Sequence, residues 1–414
     1  MAYDEATYRR QTDEATPTDP AAYRANTLAA AEQRRRAEEL AGSGASDATA
    51  DLPRRADFDE DGRDRLGIHL GWEVVLLLAA AAFAVLLWRL DPAALKRPAL
   101  DNLLVNGAAI GLLTMGAGLS LRAGVPNLAL GPIALAAALQ YAEQGDQGLL
   151  KAGVPALVLA AAGGIVIALI VVVLHVPGWA ATLAAALGVI VFDQLRTAPV
   201  AVQGGYDPTD QAFFLFGGFA LLAVLGGALG TVTPVRRWLG GLRPSGDPAR
   251  RRGAAVTLPV VLALVLSSAF AVAAGFLMAA QSAGPIVPGT GLEWTGIALG
   301  LAMLAGTSAY GRRGGIFGTL FAVIAMTLYL DWSARKGFDI ALFATAACVF
   351  AGGLIVTRLV ETYGRPLPPS IGDDWNAAPT TGAANWTPDL ESWTPATTTG
   401  RTDRWDAGPW GSSR

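Results

Sequence analysis

The chain has 414 residues, of which 52% are hydrophobic and only 16% charged, and its formal net charge is −3. That balance excludes an ordinary soluble domain and is the profile of a polytopic membrane protein, with no nucleic-acid partner expected. The single cysteine, Cys348, excludes a disulfide framework and a thiolate metal site, and reads as a small lipid-facing or packing residue.

Residues 1–70 read as a polar cytoplasmic tail with one possible helix. No apolar run lies near Met1, and the first 66 residues carry 10 Arg against 15 Asp plus Glu, so the first span itself is expected to direct insertion. The helix-capable piece begins at Asp19-Pro20 and continues through AAYRANTLAAAEQRRRAEEL. Asp19 suits its N-cap, Pro20 its first turn and Gly42 its end. The rest of this tail is too polar to bury a core and is expected to be disordered.

Residues 71–360 form the transmembrane domain. Apolar stretches of the length that crosses a hydrocarbon core recur there, and about ten spans can be drawn. They run over residues 72–89, 102–121, 128–142, 152–173, 179–198, 211–230, 256–280, 294–309, 315–331 and 340–358. The fold class expected is therefore all-α, a membrane protein of about ten helices, some of them broken. The basic segments Arg236 to Arg252 and GRRG at Gly311 to Gly314 fall on one side of this threading. The positive-inside rule makes that side cytoplasmic, with both termini, in a multi-pass protein of the cell membrane. Two crossings are interrupted by proline and glycine, LRAGVPNLALGP at Leu121 to Pro132 and LHVPGWAATL at Leu174 to Leu183. Backbone groups released at such breaks must be met by protein or by a wet cavity.

One segment, LAMLAGTSAYGRRGGIFGTLFAVIAMTLY from Leu301 to Tyr329, sets a glycine-rich basic turn between two apolar runs. Its freed amides cannot face lipid, so the turn must sit at a membrane surface or against protein. Residues 361–414 are a polar tail containing Trp375, Trp386, Trp393, Trp405 and Trp410. Among Pro, Gly, Thr and Asp these rings cannot form a core, so the tail is expected to be disordered and to touch a partner or the lipid interface weakly.

The signatures of catalysis are missing. There is no phosphate-cradling G-x-x-x-x-G-K-[ST] loop, no H-E-x-x-H and no G-x-S-x-G, and His69 and His175 lie far apart in sequence. No enzymatic activity, cofactor or metal site is expected. Charged candidates within the spans are Glu73, Asp193, Arg196 and Asp331. Glu73 and Asp331 stand at span ends, where a carboxylate reaches headgroup water; Asp193 lies deeper and has Arg196 three positions on, as an ion-pair partner or as part of a substrate site.

AGTSAYGRRGGIFGTL (Ala305 to Leu320) resembles the glycine-rich segment near the end of permease subunits of ribose-type ABC importers, commonly GGTSLxGGRGSxxGTL. NLLVNGAAIGLLTMGAGLSLRAGVPNLALGPIALAAAL (Asn102 to Leu139) resembles the same family's second and third spans with their TGGIDLSVGS-like turn. VPGWAATLAAALGVI (Val176 to Ile190) is similar to its VPPFIATLGxxxI. The resemblance covers roughly residues 75–358 and belongs to the superfamily of monosaccharide, branched-chain amino acid and nucleoside permeases. The sugar branch usually has Asp-Leu-Ser where this chain has Asn127-Leu128-Ala129, closer to nucleoside-type relatives, and the usual GGN-containing loop is replaced by Arg236 to Arg252.

The resemblance implies a permease subunit for a small polar solute, with a monosaccharide favoured and a nucleoside, a branched-chain amino acid or a divergent paralogue acting as a membrane scaffold as alternatives. It implies a cytoplasmic ABC ATPase, a second permease subunit in a homo- or heterodimer, an extracytoplasmic solute-binding protein and the lipid bilayer as partners. Gly306, Thr307, Ser308, Tyr310, Gly311, Arg312, Arg313, Gly314 and Gly315 would couple to the ATPase. Asn106, Thr114, Gly124, Pro126, Asn127, Trp179, Thr182 and Asp193 would line the translocation path.

Overall fold

The structure is a computed structural model, and it describes residues 66–229, 254–308 and 315–364. Ten α-helices lie within these residues: α1 (Leu66–Leu90), α2 (Ala99–Arg122), α3 (Leu130–Gln144), α4 (Leu149–Val173), α5 (Gly178–Gln194), α6 (Ala212–Leu229), α7 (Ala254–Ala280), α8 (Leu292–Leu304), α9 (Gly318–Arg335) and α10 (Leu342–Gly364). Each apolar stretch drawn from the sequence overlaps one of them. Short 3₁₀ turns at Gly145–Gln147 and Pro208–Gln211 precede α4 and α6. The described residues contain no strand, only an isolated antiparallel bridge between Val200 and Ile286. The two tails, including the helix expected after Asp19 and the five C-terminal tryptophans, lie outside the described residues.

Six of these helical segments are long and apolar enough to cross a membrane: α1, α2, α4, the segment Pro208–Leu229, α7 and α10. Three of the remaining four, α3, α5 and α8, are at most 17 residues long and adjoin a break foreseen in the sequence. Proline or glycine stands at the break-side end of each.

Burial sorts the helices into an inner and an outer set. Of their apolar windows, 67% in α2 and 61% in α7 is buried, against 11% in Pro208–Leu229. The inner helices can be buried because they are lined with small residues. A Cβ at Gly107 would stand 2.9 Å from the Phe216 ring, and one at Gly111 would collide with Phe219, so two aromatic rings of α6 seat on two successive turns of α2. A Cβ at Gly275 would collide with the Ala134 carbonyl, which brings the backbones of α3 and α7 together. This is the packing expected where apolar surface gains little by leaving lipid and close contact carries the association. α7 runs beside α2, α3 and α4; α8 lies along α10 and α9 along α1. The central cluster includes Val105, Leu113, Leu130, Ala271, Leu299 and Met303.

The connections define two ends of the bundle. At one end Arg335 bridges Asp91 and Asp331, each at 2.6 Å, and the Gln281 amide donates to Asn102 at 3.3 Å. Asp331 thus meets the sequence expectation of a carboxylate at a helix end. The start of α1, the end of α2, the end of α8 and the start of α9 gather at the other end.

Candidate functional site

The break after α2 is a sharp turn held from all sides. Gly124 adopts a left-handed φ of 72°, its N–H donates to Leu121 O at 2.9 Å and that of Val125 to Ser120 O at 3.0 Å. That is a Schellman ending, which satisfies the last carbonyls of the helix. Asn127 is fully buried. Its backbone N–H donates to Ser120 Oγ at 3.1 Å, its side-chain amide donates to Ser267 Oγ of α7 at 2.8 Å, and its Oδ1 accepts the N–H of Ala129 at 3.1 Å. One asparagine therefore ends one helix, starts the next and ties both to α7. The amides freed by the break are met by protein, one of the two outcomes expected from the sequence.

The second break packs directly on the first. Thr182 Oγ1 of α5 donates to Pro126 O at 2.7 Å, and a Cβ at Gly178 would lie 2.7 Å from Val125 Cγ1. From a third side, Thr295 Oγ1 of α8 accepts the N–H of Gly131 at 2.9 Å and donates to Leu128 O at 3.2 Å. Gly124, Pro126, Asn127 and Thr182 are thus brought together. Trp179 meets this cluster through its carbonyl alone, which accepts from Thr182 Oγ1 at 3.2 Å while its ring is 58% exposed; Asn106 is exposed and does not join it.

The glycine-rich turn is anchored at both flanks by adjacent residues of α1. At the end of α8, Gly306 takes a φ of 96°, its N–H donates to Met303 O at 2.9 Å and that of Thr307 to Ala302 O at 3.0 Å. Trp72 Nε1 donates to the Leu304 carbonyl at 2.6 Å. At the start of α9, Glu73 Oε1 accepts the N–H of Phe317 at 2.9 Å and of Gly318 at 3.2 Å. A carboxylate at a helix N-terminus meets unpaired donors and the positive end of the helix dipole. Glu73 is 4% exposed. The expectation that it reaches headgroup water is therefore corrected: no room remains, because even a Cβ at Gly315 would collide with its Oε1. Thr307 and Ser308 are buried beneath the turn, while Tyr310, Gly311, Arg312, Arg313 and Gly314 lie outside the described residues.

Beside this turn a polar pocket of about 80 Å³ is lined by Thr114 and Arg122 of α2, Gly226 of α6, Thr307, Gly315 and Thr319. It brings a residue expected on the path, Thr114, against residues expected at the coupling turn. Three hydroxyls and a guanidinium line it, and of these the Thr114 hydroxyl donates to Ile110 O at 2.8 Å.

Asp193 is fully buried, and neither carboxylate oxygen has a hydrogen-bond partner. The guanidinium expected as its partner is engaged elsewhere: Arg196 holds Glu143 at the end of α3 in a bidentate pair of 2.5 and 2.9 Å. A bidentate carboxylate meets the planar fork of arginine better than a neighbour on its own helix can. Cys348 is exposed on α10, in line with a lipid-facing residue.

Sequence reasoning missed Trp72, Glu143, Ser120, Ser267 and Thr295, and misplaced Glu73. The readable signal was weak but present for two of them: Ser267 and Thr295 are hydroxyl residues inside otherwise apolar helices, and each meets the break after α2. Comparison with known proteins finds no matching family model, no significantly similar curated protein and no significantly similar solved structure.

Proposed function

We propose that the chain is the membrane-spanning permease subunit of an ABC importer, the reading that its three motif segments suggest. The observation that supports it is the convergence of those segments: the Asn102 to Leu139 and Val176 to Ile190 segments meet at Thr182 and Pro126, and the first meets the glycine-rich turn around the pocket of Thr114 and Thr307. A transport subunit without its own ATPase must take up force through a compact element linked to the path. A turn held at both flanks by Trp72 and Glu73, and in contact with α2, has that form.

In this reading about ten helices cross the cell membrane, some incompletely, with the glycine-rich turn and both termini in the cytoplasm. The partners are a cytoplasmic ATPase, a second permease subunit and an extracytoplasmic solute-binding protein. The cargo is a small polar solute, with a monosaccharide favoured by the Ala305 to Leu320 segment and a nucleoside or branched-chain amino acid as the near alternatives.

A second reading, a divergent paralogue kept as a membrane scaffold, draws on the size of the polar pocket. At about 80 Å³ it has room for two or three waters at roughly 30 Å³ each, and a hexose does not fit. In a working permease this region must open.

Purification of the tagged full chain from its native membranes, with mass spectrometry of what accompanies it, separates the two. The importer reading expects an ABC ATPase and a second permease chain, and ATP hydrolysis in the reconstituted complex that rises with solute-loaded binding protein. Recovery with other membrane proteins and no ATPase supports the scaffold and removes the importer.

A further inference from the structure

A second cavity, of about 890 Å³, lies between α3, α4, α5 and α7, and its chemistry differs from that of the polar pocket. Of the residues that line it Gln140 alone is polar; the rest are mostly alanine, glycine and aliphatic side chains. It runs from Ala129, Ile170 and Val176 at one end to Gln140 and Phe192 at the other. Along α3 that is eleven residues, or roughly 16 Å at the helical rise of 1.5 Å per residue. Leu159 and Val166, 69% and 55% exposed, stand on its rim, so the cavity opens sideways between apolar helices.

Water does not fill such a space, because each ordered molecule needs two to four polar partners and the walls provide one polar side chain. An apolar helix face from another chain would leave the Gln140 amide without a partner in an apolar wall, whereas the ester carbonyls of a lipid can accept from it. A lipid entering from the bilayer supplies both the apolar length and the acceptor.

The polar end of the cavity adds direction. Gln140 sits there beside Phe192, whose ring carries the Arg196 guanidinium 4.8 Å from its centroid, with Glu143 bound to the same guanidinium. An apolar slot with an amide at one end, and an ion pair against the Phe192 ring that lines it there, is complementary to an amphiphile.

We propose that this cavity is a binding site for one bilayer glycerophospholipid, an acyl chain lying along α4 and α5 and the ester end at Gln140. The site starts beside the two breaks, at Ala129 and Val176, and runs away from them; it is apart from the coupling turn and stands whether or not the chain serves an importer.

The test uses the full-length protein in vesicles of phosphatidylcholine and phosphatidylglycerol doped with a phosphatidylcholine carrying a diazirine on one acyl chain. After illumination, adducts are mapped by mass spectrometry. Lining residues such as Ala136, Gly163 and Ala184 are expected to be labelled several-fold more than Val158 and Leu187, which face outward from the same helices. Gly163→Phe with Gly188→Phe fills the cavity, since an added Cβ meets no atom within 4 Å at either position. It should abolish the lining adducts and leave the outward ones. Gly163→Leu alone provides a milder variant if the double one fails to fold, with a several-fold loss expected. Equal labelling of lining and outward residues, unchanged by these substitutions, overturns the proposal in favour of annular lipid. Absence of adducts at the lining residues of the parent chain, with the outward residues labelled, overturns it in favour of a protein occupant.

Discussion

Glu73 on α1 holds Gly318 on α9: its buried Oε1 accepts the amide of Gly318 at 3.2 Å and that of the preceding Phe317 at 2.9 Å. Replacing it with alanine leaves these donors with no carboxylate in a site where water has little access. The expected loss is about 1–3 kcal/mol, the usual penalty for a buried donor left unmet. Glu73→Gln keeps an acceptor in place and should lose markedly less. Thermal unfolding of the purified protein in detergent decides, and equal midpoints for Glu73→Ala and the parent chain would show that α9 needs no such cap.

Asn127 is expected to be the costliest polar residue to remove from the α2–α3 turn. Asn127→Ala deletes the acceptor that starts α3 and the donor to Ser267. Two buried hydrogen bonds are lost at about 1 kcal/mol each, so roughly 2 kcal/mol is the expected total. A double-mutant cycle with Ser267→Ala should return a coupling of about 0.5–1.5 kcal/mol. Additive losses in that cycle would mean that the 2.8 Å contact contributes nothing.

The contact between the two breaks makes a different kind of prediction. An added methyl at Gly178 stands 2.7 Å from Val125 Cγ1, closer than carbon atoms approach without one of them shifting. Gly178→Ala should therefore cost about 1–3 kcal/mol through overpacking. Val125→Ala in the same chain frees the space and should recover part of the loss, although Val125→Ala alone destabilises. No recovery in the double variant would mean that the first loss has another origin.

The helices were legible in the sequence because membrane-length apolar runs and proline-glycine interruptions are local signals. Asp331 at a helix end was legible for the same reason. What closes the site was not, because it depends on pairs far apart in the chain: Trp72 with Leu304, Glu73 with Phe317, Asn127 with Ser267, Gly131 with Thr295. Nothing in the sequence near Glu73 marks it as a cap for a helix that begins 245 residues later. Asp193 and Arg196 show the limit of local reasoning from the other direction. Their spacing suits an ion pair on one helical face, yet Glu143 at the end of the adjacent α3 offers the guanidinium a bidentate partner.

That ion pair is only partly exposed, with 16% of the Arg196 side chain and 34% of the Glu143 side chain accessible. Its removal should fall between the roughly 0–1 kcal/mol of an exposed pair and the roughly 3–5 kcal/mol of a buried pair broken on one side. Glu143→Ala should be worse than Glu143→Gln, which still offers a carbonyl to the guanidinium. The exchanged pair Glu143→Arg with Arg196→Glu should regain part of the stability lost by either change alone. If the exchange recovers nothing, the pair acts through packing of the long side chains and not through charge.

Arg312 and Arg313 lie in sequence between two flanks that α1 holds, and the proposed function gives them the task of docking an ATPase. With Trp72 and Glu73 intact, the ends of α8 and α9 are expected to stay in place with alanine at positions 312 and 313. Arg312→Ala with Arg313→Ala should therefore leave insertion and the thermal midpoint unchanged. In the reconstituted complex it should lower solute-stimulated ATP hydrolysis several-fold, because two charge-assisted contacts to the ATPase are lost. Glu73→Ala serves as the contrasting variant, expected to lower both the midpoint and the coupling by loosening the turn itself. Full coupling in the doubly substituted protein would remove these arginines from the docking surface. A lowered midpoint would assign them to the fold instead.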